Sequence, residues 1–461
     1  MKRGSWVNRK NKDKIKKMPE IADHIFNATS GHLHLVVITH EHEDHVSGFL
    51  SEKEVFKRTT IDRLWLAWTE DPEHDLANQL RDRYKDTLLG LIAASGRLAV
   101  APERADQRVR GIVDMLLDFE LEDLQGARRD PQKIKGMTLK KAMQVVKERA
   151  ELSNGIDYLR PHDRPQTLPN VPGVRIFVLG PPEDEDLLKD PDPIGNEEFR
   201  RAASAAASAA ERSFLAAVGA TPTEVEAHQP FDPRYRIPAA VARGHRDHGD
   251  FFSRRYGFGK NYAADDDRAW RRIDGDWLRT SEQLALRMST HINNTSLVLA
   301  FELPQTKRVL LFVGDAQRGN WISWGKGEWD ASKGLNPGEK VTAKDLLNRT
   351  VFYKVGHHGS HNATLNQGGL SEMAKEEFAQ HFVAMIPANE DWAVTMNDPP
   401  WRHPLESIYN ALLKKARGRV FVLDRDLRKP RASVLPAPEW ESFKSKCTFD
   451  DAFYEYVIED S

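Results

Sequence analysis

The sequence predicts an α/β fold with its layers in the order helix, sheet, sheet, helix. Apolar, β-branched runs such as residues 33–39 and 308–313 have the length and composition of buried strands. Segments with apolar residues at helical spacing, such as residues 404–416, alternate with strands in the final third of the chain. Because the strands fall into two groups with helices between them, we expect two packed sheets covered by helices.

The length of 461 residues allows one large domain with insertions. Residues 1–18 are rich in lysine and arginine, and we interpret them as a basic, solvated tail. Residues 19–461 are expected to form one domain with two charged, mainly helical insertions, at about 70–152 and 183–286. Both insertions are predicted to lie outside the sheets and to shape access to a pocket.

Composition limits both the location and the chemistry of the chain. Hydrophobic residues make up 40% and charged residues 30%, which is typical of a globular protein. No apolar run is long enough for a membrane span and the N-terminus lacks a secretory signal, so we expect a cytoplasmic protein. The single cysteine, Cys447, excludes a thiolate-built zinc site, so any metal must be held by histidine and carboxylate.

A dense group of metal-ligating residues follows the first apolar run. Three histidines and an aspartate fall within six residues there: His40, His42, Asp44 and His45. If the backbone stays extended, His40 and His42 project to the same side and can share one cation. Asp44 and His45, on the turn beyond, then reach a second cation. The alternative is a solvated loop that happens to be rich in histidine, and the close spacing after a strand argues against it.

Two later strands also end in candidate ligands. Residues 308–315 form an apolar run that closes on Gly-Asp, and Asp315 is placed there to touch two cations. Residues 351–361 begin with another apolar strand, and the pair His357 and His358 follows that strand. We therefore expect the last metal-binding loop at this pair.

The spacing His-x-His-x-Asp-His over residues 40–45 resembles the signature of the metallo-β-lactamase superfamily. The His-His-Gly-Ser sequence at residues 357–360 is similar to the branch that contains the hydrolase domain of DNA-uptake competence channel proteins and a phosphorylcholine esterase. Residues 293–299 and the pair 403–404 also look like that branch. The resemblance covers roughly residues 21–424, interrupted by both insertions, and implies a four-layer αββα sandwich.

The resemblance implies a dinuclear metal centre with Asp315 as the bridging ligand. It suggests His358 as a ligand and His357 as a proton donor or oxyanion partner beside the substrate, with Asp44 as the second catalytic residue. The predicted ligand set is His40, His42, Asp44, His45, Asp315 and His358. Two divalent metal ions would fill it, with zinc (Zn2+) as the default for these ligands and manganese (Mn2+) or iron (Fe) also fitting.

The chain departs from the superfamily pattern in two places. Many members carry a histidine before the Gly-Asp strand, where this chain has two asparagines. The third-motif ligand is therefore open among His291, Asn293 and Asn294, and His403 is a separate, further candidate ligand. In addition, the segment before the first histidine lacks the apolar strands with which such domains usually open. We expect the opening strands to be missing and a sheet edge to be exposed near residues 33–38.

These residues predict a metal-dependent hydrolase that uses a metal-bridging hydroxide. The expected substrate is a phosphodiester, because the branch that the chain resembles contains phosphodiester chemistry. This substrate is either a nucleic acid or a small molecule such as a nucleotide. A lactone or thioester hydrolase is a second possibility, since the same hydroxide attacks a carbonyl carbon. A truncated, inactive member that acts as a binding or regulatory module is the alternative from another class, and its metal content would be lower.

Overall fold

The computed structural model describes the chain in segments, which are residues 5–7, 14–16, 18–83, 138–153, 155–168, 171–199, 251–256, 291–394, 402–423, 435–449 and 453–460. The chain divides into two compact units. The first unit comprises Met1–Asn78, Gly136–Ala202 and Thr290–Ser461 and contains all the described strands. The second comprises Gln79–Lys135 and Ala203–Ser289. Most of the two predicted insertions lies outside the described residues.

The described strands, in chain order, are β1 (Ser5–Val7), β2 (Lys14–Lys16), β3 (His32–Val37), β4 (Thr60–Ala67), β5 (Ile156–Leu159), β6 (Gln166–Leu168), β7 (Val171–Gly180), β8 (Val298–Glu302), β9 (Val309–Phe312), β10 (Glu328–Trp329), β11 (Val341–Thr342), β12 (Thr350–Lys354), β13 (Val383–Ile386), β14 (Val420–Val422), β15 (Cys447–Phe449) and β16 (Tyr454–Tyr456).

The described α-helices are α1 (Met18–Ala28), α2 (Glu43–Ser51), α3 (Lys53–Arg58), α4 (Thr138–Glu151), α5 (Glu185–Leu188), α6 (Phe251–Tyr256), α7 (Arg318–Ser323), α8 (Ala343–Asn348), α9 (Glu390–Ala393), α10 (Glu406–Lys415) and α11 (Ala437–Ser445). Helix α4 falls within the predicted insertion at 70–152 but belongs to the first unit. Among the described helices, none has the length and apolar character to cross a bilayer.

Two main sheets form the first unit. The larger sheet has seven strands in the order β14-β13-β12-β9-β8-β7-β6. Its strands β9, β12, β13 and β14 pair in parallel, whereas β6 to β9 pair antiparallel. The smaller sheet contains the parallel strands β3-β4-β5. The chain is therefore an α/β protein with a mixed and a parallel sheet, and its α/β class agrees with the sequence prediction.

An apolar layer lies between the two sheets. Trp65 and Ala67 of β4 share this core with Ile176 and Val178 of β7 and with Leu299 of β8. Because side chains alternate along a strand, the neighbouring residues of β4 and β7 face the other way. Strands β4 and β7 therefore each have one face toward the other sheet and one face left for helices.

Helices cover the two remaining faces. Leu64 and Leu66 of β4 share a core with residues of α2 and α4. Phe177 and Leu179 of β7 share another core with residues of α7, α8 and α10. Burial of both faces explains why β4 and β7 end in continuous apolar runs rather than in alternating apolar and polar residues.

The N-terminal segment corrects one expectation. No paired strand was expected before Leu33, but β1 and β2 form an antiparallel hairpin, with Trp6 opposite Ile15. The prediction that no paired strands precede Leu33 was therefore wrong. The hairpin is a sheet of its own, and among the described residues β3 pairs only with β4. Strand β3 is therefore an edge of the smaller sheet within the described part of the chain.

Removing Phe177 should destabilise the first unit. Its side chain is fully buried and its ring lies 5.0 Å from the ring of Trp329, so Phe177→Ala leaves a cavity under the larger sheet. We expect the free energy of unfolding to fall by about 3–5 kcal/mol, measured by urea denaturation. Val171→Ala is the matched control, because Val171 starts the same strand with 43% of its surface exposed. It should change stability by less than about 0.5 kcal/mol, and an equal loss in both variants would contradict the assignment of this core.

Candidate metal centre

Three loops that follow strands meet at one end of the first unit. Residues 38–42 follow β3 and lead directly into the first turn of α2, which carries Asp44 and His45. Residues 313–315 follow β9 and residues 355–361 follow β12. Strands β9 and β12 are adjacent and parallel, so their loops leave the sheet side by side. The amide of Leu297 donates to the carbonyl oxygen of Thr39 at 2.8 Å, which joins the first loop to the start of β8. The two sheets are thus connected where the loops meet.

The first group of candidate ligands consists of His40, His42 and Asp315, whose ligand atoms all lie within 4.8 Å of one another. Nε2 of His40 is 3.0 Å from Nδ1 of His42 and 4.0 Å from Oδ2 of Asp315. His40 and Asp315 are buried, each with 3% of its surface exposed. We call this group the first triad.

The second triad consists of Asp44, Asp315 and His358, again within 4.8 Å of one another. Nε2 of His358 lies 2.9 Å from Oδ2 of Asp44. Nδ1 of His358 donates to the carbonyl oxygen of Pro387 at 2.8 Å, which fixes the orientation of the ring. His45 lies beside both carboxylates, with Nε2 3.5 Å from Oδ2 of Asp44 and 3.3 Å from Oδ2 of Asp315.

Asp315 belongs to both triads, and its position is defined from several sides. Its Oδ1 accepts a hydrogen bond from the backbone amide of His357 at 2.8 Å. Its own amide donates to Oγ of Ser296 at 2.9 Å. Gly314, directly before it, has a φ of +55°, which lets the chain turn sharply at the end of β9. One carboxylate therefore faces the side chains of both triads.

Burial keeps the imidazoles of the first triad neutral. It holds the pKa of His40 well below its ordinary value, and the charges of His45 and His42 lower it further. Burial also lowers the pKa of His42 to about 4, although Asp44 and Asp315 oppose the shift. Neutral imidazole is the form that binds a metal ion. Within the described residues, Nε2 of His42 is buried without a hydrogen-bond partner. This nitrogen therefore has a lone pair available to bind a cation.

The carboxylates are ionised despite their surroundings. Burial raises the pKa of Asp315, but the charge and hydrogen bond of His45, together with the charges of His357 and His40, hold that pKa well below its usual range. For Asp44 burial likewise raises the pKa, and His45 and His358 lower it by more. Burial lowers the pKa of His358, yet its hydrogen bond to Asp44 raises it overall to about 9. At neutral pH the second triad thus holds two carboxylates beside a protonated His358, and this ring would have to lose its proton to Asp44 or to water before it could bind a metal ion.

His357 is held by a hydrogen-bond network of its own. Its Nδ1 lies 3.0 Å from Oδ1 of Asn362 and 2.7 Å from Oγ of Ser360. Because Ser360 donates its hydroxyl to Oδ1 of Asn362 at 2.9 Å, Nδ1 of His357 is the donor in this network. Nε2 is then the acceptor, 3.4 Å from Nδ2 of Asn293. Burial lowers the pKa of His357, which favours this neutral form.

The remaining predicted residues lie in different places. The ring of His403 stacks on His358 at 5.8 Å with an interplanar angle of 16°, next to the second triad. Asn293 lies beside His357, as described. Asn294 does not join the cluster, because its Nδ2 donates to the carbonyl oxygen of Asp190 at 2.9 Å and its Oδ1 accepts the amide of Gln317 at 2.9 Å. His291 shares the helical turn 291–294 with both asparagines and belongs to neither triad.

Sequence reasoning missed several residues that support the cluster. Thr39 places its Oγ1 3.2 Å from Nδ1 of His40 and 3.3 Å from Nδ1 of His45. Ser296 places its Oγ 3.2 Å from Nδ1 of His40. Burial lowers the pKa of Lys354, and the charges of Asp315 and Asp44 oppose that shift. The only signal for Thr39 and Lys354 was their position, one residue before His40 and at the end of β12.

Comparisons with protein-family models, with curated proteins and with solved structures each returned no match. The interpretation of the site therefore depends on the geometry of the described residues and on the motif resemblance.

Adding a side chain at residue 314 should separate the loops. A Cβ there would lie 2.8 Å from Cβ of Thr39 and 2.9 Å from Cβ of Ser296, so Gly314→Ala forces the cluster apart. The positive φ alone should cost about 1–3 kcal/mol. Gly338→Ala is the matched control, since Gly338 has a φ of +82° and its Cβ would meet nothing within 4 Å. Urea denaturation should show a clearly larger loss for Gly314→Ala, whereas equal losses would contradict the close contact described here.

Proposed function

We propose that the chain is a metal-dependent hydrolase of the metallo-β-lactamase type that hydrolyses a phosphodiester. The observation that carries the proposal is the membership of Asp315 in two triads built from three separate strand-end loops. The helix, sheet, sheet, helix packing of the first unit supports the four-layer sandwich that such an enzyme requires. The His-x-His-x-Asp-His spacing supports the same class.

The residues present fit two divalent cations. His40 and His42 would hold one cation, Asp44 and His358 the other, and Asp315 would touch both. The neutral, buried imidazoles of His40 and His42, the unpartnered Nε2 of His42 and the ionised carboxylates form a donor set suited to zinc. When bound, such a pair of cations makes water a nucleophile near neutral pH and stabilises negative charge on a phosphoryl oxygen.

The chain's own residues supply the proton transfers. Nε2 of His357 is an acceptor at neutral pH, so it can take the proton that the attacking water loses. The protonated ring can then return that proton to the alkoxide that leaves when the phosphorus–oxygen bond breaks. Ser360 and Asn362 keep the ring in this orientation throughout, because both oxygens remain against Nδ1. Water is added across the ester bond and the enzyme returns to its starting state.

Substitution of Asp315 should remove metal and activity together. Asp315→Ala and Asp315→Asn both delete the anionic charge that offsets the repulsion of two cations, so both variants should lose bound zinc and turnover. The measurement is elemental analysis beside hydrolysis of bis(p-nitrophenyl) phosphate and of thioester and lactone substrates. Asp23→Asn is the control, since Asp23 is exposed on α1. Full zinc content with near-normal turnover in Asp315→Asn would refute the role of Asp315.

Substitution of His357 should separate rate from metal content. His357→Ala deletes the proton acceptor and no member of either triad, so zinc content should stay unchanged. Turnover should fall by about 10²–10⁴-fold, the usual contribution of a general acid–base group. Loss of zinc in this variant would instead identify His357 as a ligand, and unchanged turnover would exclude it from proton transfer.

A further inference from the structure

We propose that His32, His34 and Asp62 form a second metal site, which binds one divalent transition-metal ion at the start of β3. This site is separate from the candidate metal centre, because His32 begins the strand whose far end leads into residues 38–45. The proposal does not depend on the proposed hydrolase activity.

Strand geometry brings the three side chains together. His32 and His34 are two residues apart on one strand, so their side chains project from the same face. The parallel register pairs Leu33 with Ile61 and Leu35 with Arg63, which places His34 beside Asp62 on the neighbouring strand. The ligand atoms of the three residues all lie within 4.8 Å of one another.

The contacts are those of a preformed ligand set. Nε2 of His32 lies 2.8 Å from both Oδ1 and Oδ2 of Asp62. The ring of His34 stacks on that of His32, with the centroids 4.4 Å apart and 29° between the planes. Within the described part of the chain, no hydrogen bond engages the ring nitrogens of His34. A surface ion pair accounts for His32 and Asp62, and a shared cation would in addition engage a ring nitrogen of His34.

Two imidazoles and one carboxylate are a common ligand set for zinc, and copper and nickel also accept them. Water would complete the coordination, because 45% of the His32 side chain and 38% of the Asp62 side chain are exposed. The ion would connect β3, which is an edge strand of the smaller sheet among the described residues, to β4. Since a ligand that binds only the folded state stabilises it, zinc should raise the melting temperature through this site.

The experiment is equilibrium dialysis of the untagged chain of 461 residues against micromolar free zinc, followed by elemental analysis. His34→Ala should bind one zinc ion fewer than the unsubstituted chain. His24→Ala, which removes a partly exposed histidine of α1, should bind the same amount as the unsubstituted chain. Asp62→Asn should lose the same ion as His34→Ala while keeping the size of the side chain. Circular dichroism checks that each variant is folded.

Repeating the dialysis in an Asp315→Ala background separates this site from the candidate metal centre. One zinc ion should remain in that background, raise the melting temperature, and disappear when His34→Ala is added. This result stands even if the candidate metal centre binds no metal. Equal zinc content with and without His34→Ala in both backgrounds would overturn the second site.

Discussion

The buried carboxylate of Asp315 is the constraint on which the site depends. An ionised carboxylate with 3% of its surface exposed is costly unless partners surround it. Its Oδ1 accepts the amide of His357, and its Oδ2 faces His45 at 3.3 Å and His40 at 4.0 Å. These partners come from the loops after β3 and β12, so the charge is tolerated only where the loops meet. The position of Asp315 thus links the packing of these loops to the geometry of the candidate metal centre.

The same constraint explains the unusual backbone around the site. His357 and His358 have φ values of 41° and 53°, a region that residues other than glycine rarely adopt. This conformation presents the amide of His357 to Asp315 and aims the ring of His358 at Asp44. Strain of this kind persists when surrounding contacts compensate for it, and it is common at functional sites. The loop after β12 is therefore shaped by its contacts with the other two loops.

The α/β class and the strand-end placement of the predicted ligands could be read from the sequence, because both are local patterns. Apolar runs end at His40, Asp315 and His357 in the sequence, and parallel pairing then places two of those ends side by side. The sequence could not show whether the side chain of Asn294 binds a metal or the backbone, since an amide fits either role. Its orientation is set by a tertiary contact, the hydrogen bond to the carbonyl oxygen of Asp190. The β1–β2 hairpin was missed because each of its strands has only three residues, which is too short to establish the alternation typical of a half-buried strand.

The central claim is that Asp315 is shared by two cations. Anomalous diffraction at the zinc absorption edge, from crystals of the zinc-loaded chain, tests it most directly. We expect two peaks about 3.5–4 Å apart, one beside His40 and His42 and one beside Asp44 and His358, with the carboxylate of Asp315 between them. A single peak away from Asp315, or no peak among these residues in a fully loaded crystal, would contradict it.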